Sequence, residues 1–340
     1  MKSGNKRGIH IQPSTERVAG SSGRRIVLTL LSTVLFLLAF NFFVGTTLKN
    51  SGYGLIKYKW NLLADLEQPV DIIVAGDSSC NQGVIPELLE QHLGAKTINV
   101  CTIGNMLAIE DVWMLEFYLQ RHQKLSAVIL VHVYDSWHRD INPVVVAQVP
   151  LKWGFWNEFT PPLRFTFNQQ VKMFAAKYFP LYSENRTLSK KLLNPWLIKE
   201  NDIQLSPTGF FGRTEPNMEK VNIDAEAHFR FVRKNKFDIS EPNRRALYRL
   251  EKLAVKYDFD VYLANSPIFS GLYEDEYFKY YLDNVNQYLK NFSSRDKRLH
   301  FLFEEPIQFA KEDMQNVDHV ILTAAEIYTK EIVNKIKHIN

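Results

Sequence analysis

Cysteine is scarce in this sequence: Cys80 and Cys101 are the only two among 340 residues. A chain of that length with so few cysteines is not a small scaffold built on disulfides. It has no H-x-x-x-H or C-x-x-C spacing, so no zinc or haem site is expected. It has no G-x-G-x-x-G, and the loop after its first apolar strand is too poor in Gly, Ser and Thr to cradle a phosphate. A flavodoxin-type cofactor binder is therefore disfavoured, and no cofactor is expected. An excess of charge is lacking too. The formal charge is +4, and residues 1–25 supply more than all of it: Lys2, Lys6, Arg7, Arg17, Arg24 and Arg25 stand against Glu16, a net +5 that leaves −1 for the rest. Nucleic-acid binding needs clustered Lys and Arg on the folded body, so that class is excluded. Internal repeats are absent. With 46% hydrophobic and 13% aromatic residues, disorder is excluded for most of the chain, and one large domain, or one with a big insertion, is expected.

What the sequence does contain begins with residues 26–48, IVLTLLSTVLFLLAFNFFVGTTL, 23 residues without a charge. That is long enough to cross a bilayer as a helix, with Asn41 as its one strongly polar interruption. The basic tail before it predicts a cytoplasmic N-terminus by the positive-inside rule. A cleaved signal peptide fits less well, because the apolar stretch is too long and no A-x-A site follows. A buried core helix also fits less well, because the run is apolar all round. The expected organisation is a cytoplasmic tail at 1–25, an uncleaved signal anchor at 26–48, a linker at 49–68 and a domain at 69–338.

Within that domain, Asp71–Ala75 (DIIVA) reads as a buried parallel strand stopped by Gly76. Residues 84–93 read as a helix opened by Pro86 and closed by Gly94. A strand follows at 97–100, a helix at 107–121 and a third strand at 127–133. From about 140 to 238 the alternation is lost, and aromatics such as Trp153, Phe155, Trp156, Phe174, Tyr178 and Trp196 accumulate. A βα link is normally a few residues, so this stretch is an inserted subdomain or lid. Its aromatics are open to three readings: stacking on sugar rings, a small core of the insertion's own, or a face toward the membrane. The sheet pattern resumes with a helix capped by Ser240, a strand at 259–265, a helix at 274–292, a strand at 299–303 and a last helix at 322–338. The fold class is α/β: a flavodoxin-like three-layer fold with a five-stranded parallel sheet, a large insertion after strand three and one N-terminal transmembrane helix.

Sites in such sheets form beyond the carboxyl ends of the strands. Three loops there carry chemistry: Gly76-Asp77-Ser78-Ser79-Cys80, Cys101-Thr102-Ile103-Gly104-Asn105, and Asn316-Val317-Asp318-His319. At these residues the chain resembles the SGNH (GDSL-type) hydrolase superfamily. Gly76-Asp77-Ser78 stands where that family has its first block, and His319 stands before the last helix, where the family has its base. The run HVILTAAEIYT (319–329) looks like the ending of membrane-anchored members. The likeness is greatest to periplasmic members that accompany membrane-bound O-acyltransferases in polysaccharide acetylation, and it covers about 68–145 and 240–338. The resemblance implies Ser78 as nucleophile and His319 as its base. It also implies an oxyanion site made by the Ser78 amide and Gly104, with Gly76 and Asp77 supporting the turn.

Two departures from the family pattern matter. Its acid lies three residues before the histidine, where this chain has Asn316, an acceptor without charge. Asp318 is the alternative acid, but a residue adjacent to His319 in an extended loop is expected to point away from it. The family's third block, G-x-N-D, aligns with His132-Val133-Tyr134-Asp135 and lacks the oxyanion Asn, for which Asn105 is the substitute at hand. His92, His122 and His300 read as surface or helix-end residues, and His132 reads as a satisfied core histidine. Cys80 and Cys101 end adjacent strands, so a disulfide beside the site and two separate buried thiols both stay open. The resemblance implies a single-pass protein of the bacterial inner membrane, facing the periplasm. It would be an esterase or O-acetyltransferase acting on an exported polysaccharide, with a membrane-bound O-acyltransferase as partner. The alternative is a catalytically inactive binding or assembly subunit of a polysaccharide complex.

Overall fold

The computed structural model describes residues 18–47, 53–183 and 205–339, with isolated positions at 185, 188, 189 and 193. Trp196 lies outside the described residues. Helix α1 runs Val18–Thr47, and its stretch Gly23–Thr46 is long and apolar enough to cross a membrane. Phe36 is 67% exposed and Phe42 is 73% exposed. A core helix buries such side chains, so the core-helix alternative does not hold.

Residues 54–64, within the expected linker, form a helix, α2 (Gly54–Ala64). Ile56, Trp60 and Leu63 recur at helical spacing and are buried in the main core. Lys59 is buried with them. Its ammonium donates to Asn99 O at 2.8 Å, Asn99 Oδ1 at 3.1 Å and Gly209 O at 2.5 Å. Burial holds its pKa well below the usual lysine value. The polar partners that make this lysine tolerable come from far along the chain, so the helix's apolar spacing was masked by Lys57, Lys59 and Asn61 when read locally.

The sheet elements follow: β1 (Ile72–Gly76), α3 (Ser78–Gly83), α4 (Pro86–Leu93), β2 (Thr97–Asn99), α5 (Leu107–His122) and β3 (Ala127–His132). The insertion carries α6 (Pro143–Val146), α7 (Phe167–Tyr178), α8 (Pro180–Ser183) and α9 (Met218–Lys234). Then come α10 (Glu241–Tyr257), β4 (Asp260–Asn265), β5 (Ile268–Phe269), α11 (Ser270–Tyr273), α12 (Glu276–Ser293), β6 (Leu299–Phe301), β7 (Gln308–Phe309) and α13 (Leu322–Ile339). The five-stranded sheet has the order β2-β1-β3-β4-β6, with every pair parallel. In register, Val74 faces Asn99 on one side and Ile129 on the other, and Ile129 faces Tyr262. Helix α13 packs on α3 and α4, while α10 packs on α5; right-handed crossovers put these two groups on opposite faces. The small parallel pair β5–β7 was not expected, since two-residue strands leave no periodicity to read.

Two local features aim the chain at the carboxyl edge of the sheet. Gly76 ends β1 with φ +142°, and a Cβ there would lie 1.9 Å from Val131 O; only glycine lets β1 and β3 close at this point. Cys80 and Cys101 are joined by a disulfide with Cα atoms 5.8 Å apart, which ties the loop after β1 to the loop after β2. The insertion's aromatics divide. Phe155 and Trp156 are buried, and Phe155 packs edge-on against Trp113 of α5. Phe167, Phe174 and Tyr178 are exposed.

Candidate functional site

The three loops singled out in the sequence meet at the carboxyl edge of the sheet: a Cβ at Gly104 would lie 3.8 Å from Asp77 Cβ, and Asp77 acts electrostatically on Asp318 and His319. Asp77 caps α3: its Oδ1 accepts from the Ser79 amide at 3.0 Å and from the Ser79 hydroxyl at 2.5 Å. Its Oδ2 accepts from the Val133 amide at 2.7 Å and the Ser136 hydroxyl at 3.0 Å. The Asp of G-D-S thus locks the first loop onto the loop after β3 and leaves Ser78, half-buried, as the first residue of α3. Among the described residues no hydrogen bond joins Ser78 to His319. Such contacts are often open before substrate arrives.

His319 is held from one side. Asn316 Oδ1 accepts from the backbone amides of Asp318 (3.1 Å) and His319 (2.8 Å), which curls the loop into a tight turn. Within that turn His319 Nδ1 lies 2.8 Å from Asn316 Oδ1 and 2.7 Å from Asp318 Oδ1. The expectation that Asp318 points away is therefore corrected. The turn made by Asn316 removes the extended geometry on which that expectation rested. With both neighbours acting as acceptors, Nδ1 carries the proton of the neutral ring, and in that form Nε2 holds the lone pair. Burial lowers the His319 pKa, but the charge and hydrogen bond of Asp318, helped by Asp77, outweigh burial and leave it raised. Burial raises the Asp318 pKa, and the same His319 contact outweighs it and leaves Asp318 lowered. Asp77, the residue before Ser78, acts electrostatically on both groups, so the first and last loops share one field.

Below this lies a network that the sequence did not reveal. His132 sits between two carboxylates: Nε2 is 2.7 Å from Asp111 and Nδ1 is 3.4 Å from Asp77, all three buried. Burial favours neutral imidazole, but Asp111 and Asp77 overcome it and raise the His132 pKa to about 10. The same imidazolium, with the Ser79 and Val133 donors, overcomes burial of Asp77 and drives its pKa far down. His132 is a core histidine, as expected, but a charged one that fixes the anion at Asp77.

Gly104 is half-buried beside this network. A Cβ added there would lie 2.9 Å from Arg139 Nη1, 3.3 Å from Ser136 Oγ and 3.8 Å from Asp77 Cβ. Gly104 therefore stands next to the G-D-S turn, whereas Asn105 is exposed in the same turn. Two residues on, Leu107 has φ +61°, a strained value for a bulky residue. Buried Asn243 of α10 holds that bend: its Oδ1 accepts from the Ala108 amide at 3.1 Å, and its Nδ2 donates to Ser136 O at 2.8 Å. Arg139 donates to Asp135 at 2.6 Å. Burial works against its charge, and Asp135, Asp77 and Asp318 more than compensate, so its pKa is raised. A permanent cation thus borders Gly104.

The insertion also reaches the site. His228 on α9 bonds to the Tyr134 hydroxyl through Nδ1 at 2.5 Å. His228 contributes electrostatically to the lowered Asp318 pKa, and Lys220, also on α9, opposes protonation of His319. Sequence reasoning missed Arg139, Asp111, Asn243 and His228. Only Arg139 left a signal, as a base four residues after Asp135 at the end of a buried strand. Among the described residues no group of three or more His, Cys, Asp and Glu side chains could hold a metal ion.

No protein-family model matches the chain, and no curated protein matches it. Among solved structures it is similar to one provisionally described as a platelet activating factor from Streptococcus pneumonia. The two share 13% identity with a TM-score of 0.35, over 93% of this chain and 99% of that one.

Proposed function

We propose that this chain is a membrane-anchored SGNH-like acyl-ester hydrolase or O-acetyltransferase acting on an exported or cell-envelope polysaccharide. The observation that carries the reading is the His319 imidazole, oriented at Nδ1 by Asp318 and Asn316 with Nε2 left free. That is the orientation a general base for a serine hydroxyl requires. In this reading Ser78 Oγ attacks the acyl carbonyl while His319 Nε2 takes the hydroxyl proton. The oxyanion is met by the Ser78 and Gly104 amides and by the guanidinium of Arg139, which takes the place of the family's asparagine. Collapse of the tetrahedral adduct breaks the bond to the leaving alcohol, which receives the proton from His319. Water, in a hydrolase, or a sugar hydroxyl, in a transferase, then attacks the acyl-serine with His319 again as base, and collapse of this second adduct breaks the acyl–Oγ bond while His319 returns the proton to Ser78. The N-terminal tail stays in the cytoplasm and the α/β domain lies outside the inner membrane, supported by the tail's net +5 next to the apolar helix. A membrane-bound O-acyltransferase is the partner that would supply acyl groups.

The rival is an inactive binding or assembly subunit of a polysaccharide complex, favoured by the absence of a Ser78–His319 hydrogen bond. Covalent labelling by a fluorophosphonate decides between them, since it needs the nucleophile and base but no acyl donor. Labelling of the full chain that is lost in Ser78→Ala and in His319→Ala supports the enzyme; equal, background labelling of all three leaves the binding subunit.

A further inference from the structure

Helix α7 has two apolar sides. Met173 and Ala176 face the core and are buried. On the opposite side, Phe167, Val171, Phe174 and Tyr178 recur at steps of four, three and four and are 83, 50, 50 and 46% exposed. At about 100° per residue these four fall within one narrow stripe. Trp153 extends it, with its ring 5.9 Å from Phe174 and 6.3 Å from Tyr178. Soluble surfaces rarely carry so continuous an aromatic face.

The end of this stripe is bolted to the apolar helix. Asn41 of α1 donates through Nδ2 to Tyr178 O at 3.1 Å and accepts from the Leu181 amide at 3.1 Å. These two backbone groups belong to the break between α7 and α8, where helix ends leave donors and acceptors without partners. A Cβ at Gly45 would lie 3.0 Å from Pro180, so one side of the last turn, with Asn41, is close to α8. The depth follows from length. Asn41 lies fifteen residues beyond Ile26, about 22 Å along a helix, in a hydrocarbon layer about 30 Å thick. It therefore sits about 8 Å short of the outer boundary, within the depth of about 5–10 Å at which interfacial helices lie. At that depth an unpaired asparagine is costly, and the α7–α8 break is what satisfies it.

We infer that α7 and α8 form an interfacial element that lies in the outer leaflet, with the Phe167–Tyr178 stripe among the lipid acyl chains and the α/β body set down against the membrane surface. Its flanks suit this position. Asn168 and Lys172 border the stripe on one side, polar groups that reach headgroups while aromatic rings fill the boundary. On the other, Gln170 turns back to Phe165 O and Lys177 to Val149 O and Leu151 O, so no unpaired charge enters the lipid there. The inference rests on α1 spanning the membrane, but not on chemistry at Ser78.

Full-length Val171→Cys and Phe174→Cys variants test it, each labelled with an environment-sensitive fluorophore and reconstituted into vesicles with and without brominated acyl chains. The native cysteines are bonded to each other, so the introduced thiol is the one that reacts. Leu31→Cys reports the span independently. Emission at 171 and 174 is expected to fall roughly twofold or more in brominated lipid, as for groups in the acyl region. Quenching at 31 with 171 and 174 reached only by aqueous iodide overturns the inference while leaving the span intact. Quenching at 31 with neither quencher reaching 171 and 174 means that a protein covers the stripe, which also overturns it. No lipid quenching at 31 removes the span itself, and the interfacial element with it.

Discussion

Asp318 and His319 are neighbours in the chain and hydrogen-bond partners in the fold, with Asp318 Oδ1 2.7 Å from His319 Nδ1. Adjacent residues in an extended segment cannot meet this way. Here they do because the Asn316 side chain gathers the amides of residues 318 and 319 into a turn. The position three before the histidine thus supplies geometry, and the position one before supplies charge. Asp318→Asn should therefore cost about 10⁴ in kcat, the effect of replacing a triad acid by its amide. Asn316→Asp keeps the turn and adds a second carboxylate, so it should retain activity. Rates of fluorophosphonate labelling compare the three proteins, and an Asp318→Asn protein that labels as fast as wild type would remove Asp318 from the site.

The same pair sets a pH dependence. Burial lowers the His319 pKa, yet Asp318 leaves it raised above the ordinary value of 6.5. A general base works only when neutral, so the rate should rise with pH and level off above that ordinary value. Asp318→Asn removes the term that outweighs burial, so the residual activity of that variant should show its rising limb shifted to lower pH. A pH–rate profile of kcat/KM for both proteins checks the sign. A limb that moves upward in the variant contradicts it.

Arg139 gives a separate handle. Its guanidinium borders Gly104 and answers Asp135, Asp77 and Asp318. If it meets the oxyanion, Arg139→Ala should lose about 10²–10³ in kcat, as for removal of one oxyanion donor. KM should change little, because the charge it answers exists mainly in the transition state. Arg139→Lys keeps the charge without the fork and should recover part of the loss. An equal loss in Ala and Lys variants, accompanied by a fall in Tm, would mark the residue as a structural partner of Asp135 only.

The sheet and the Gly76-Asp77-Ser78 turn were legible because each is written in a contiguous stretch. DIIVA and AVILVHV are apolar runs bounded by breakers, and Gly76 is the one residue type that fits beside Val131 O. The parts that stayed hidden depend on distant partners. The Lys59 helix looked like linker because the carbonyls of Asn99 and Gly209 lie 40 and 150 residues away. His132 could not be read as charged, since Asp111 and Asp77 reach it from two other elements. The bond between Asp318 and its own neighbour was missed for the opposite reason. It is as local as a contact can be, but it needs a turn that only the Asn316 side chain creates.

Glu110 joins the site's support to the body. It is buried at the start of α5 and accepts from Trp60 Nε1 of α2 at 2.8 Å and from the Thr102 hydroxyl. Burial pushes its pKa from 4.5 to about 8, against the lowering pull of Thr102 and Trp60 and with the charge of Asp111 adding to it. The folded protein therefore holds a proton at Glu110 that the unfolded chain releases above about pH 4.5. A group raised in this way contributes its stability in full below the unfolded value and loses it as pH rises through the folded one. Between pH 5 and 8.5 the full-length protein in detergent should lose stability on the order of a few kcal/mol from this group. Glu110→Gln keeps an acceptor for Trp60 and offers its amide to Thr102, but has no proton to lose. His132, raised from 6.5 to about 10, acts with the same sign from about pH 6.5 upward, and its contribution is common to both proteins. The difference in Tm between variant and wild type should thus grow in favour of glutamine as pH rises from 5 to 8.5, and Tm curves that stay parallel across that window would show that Glu110 is ionised in the fold.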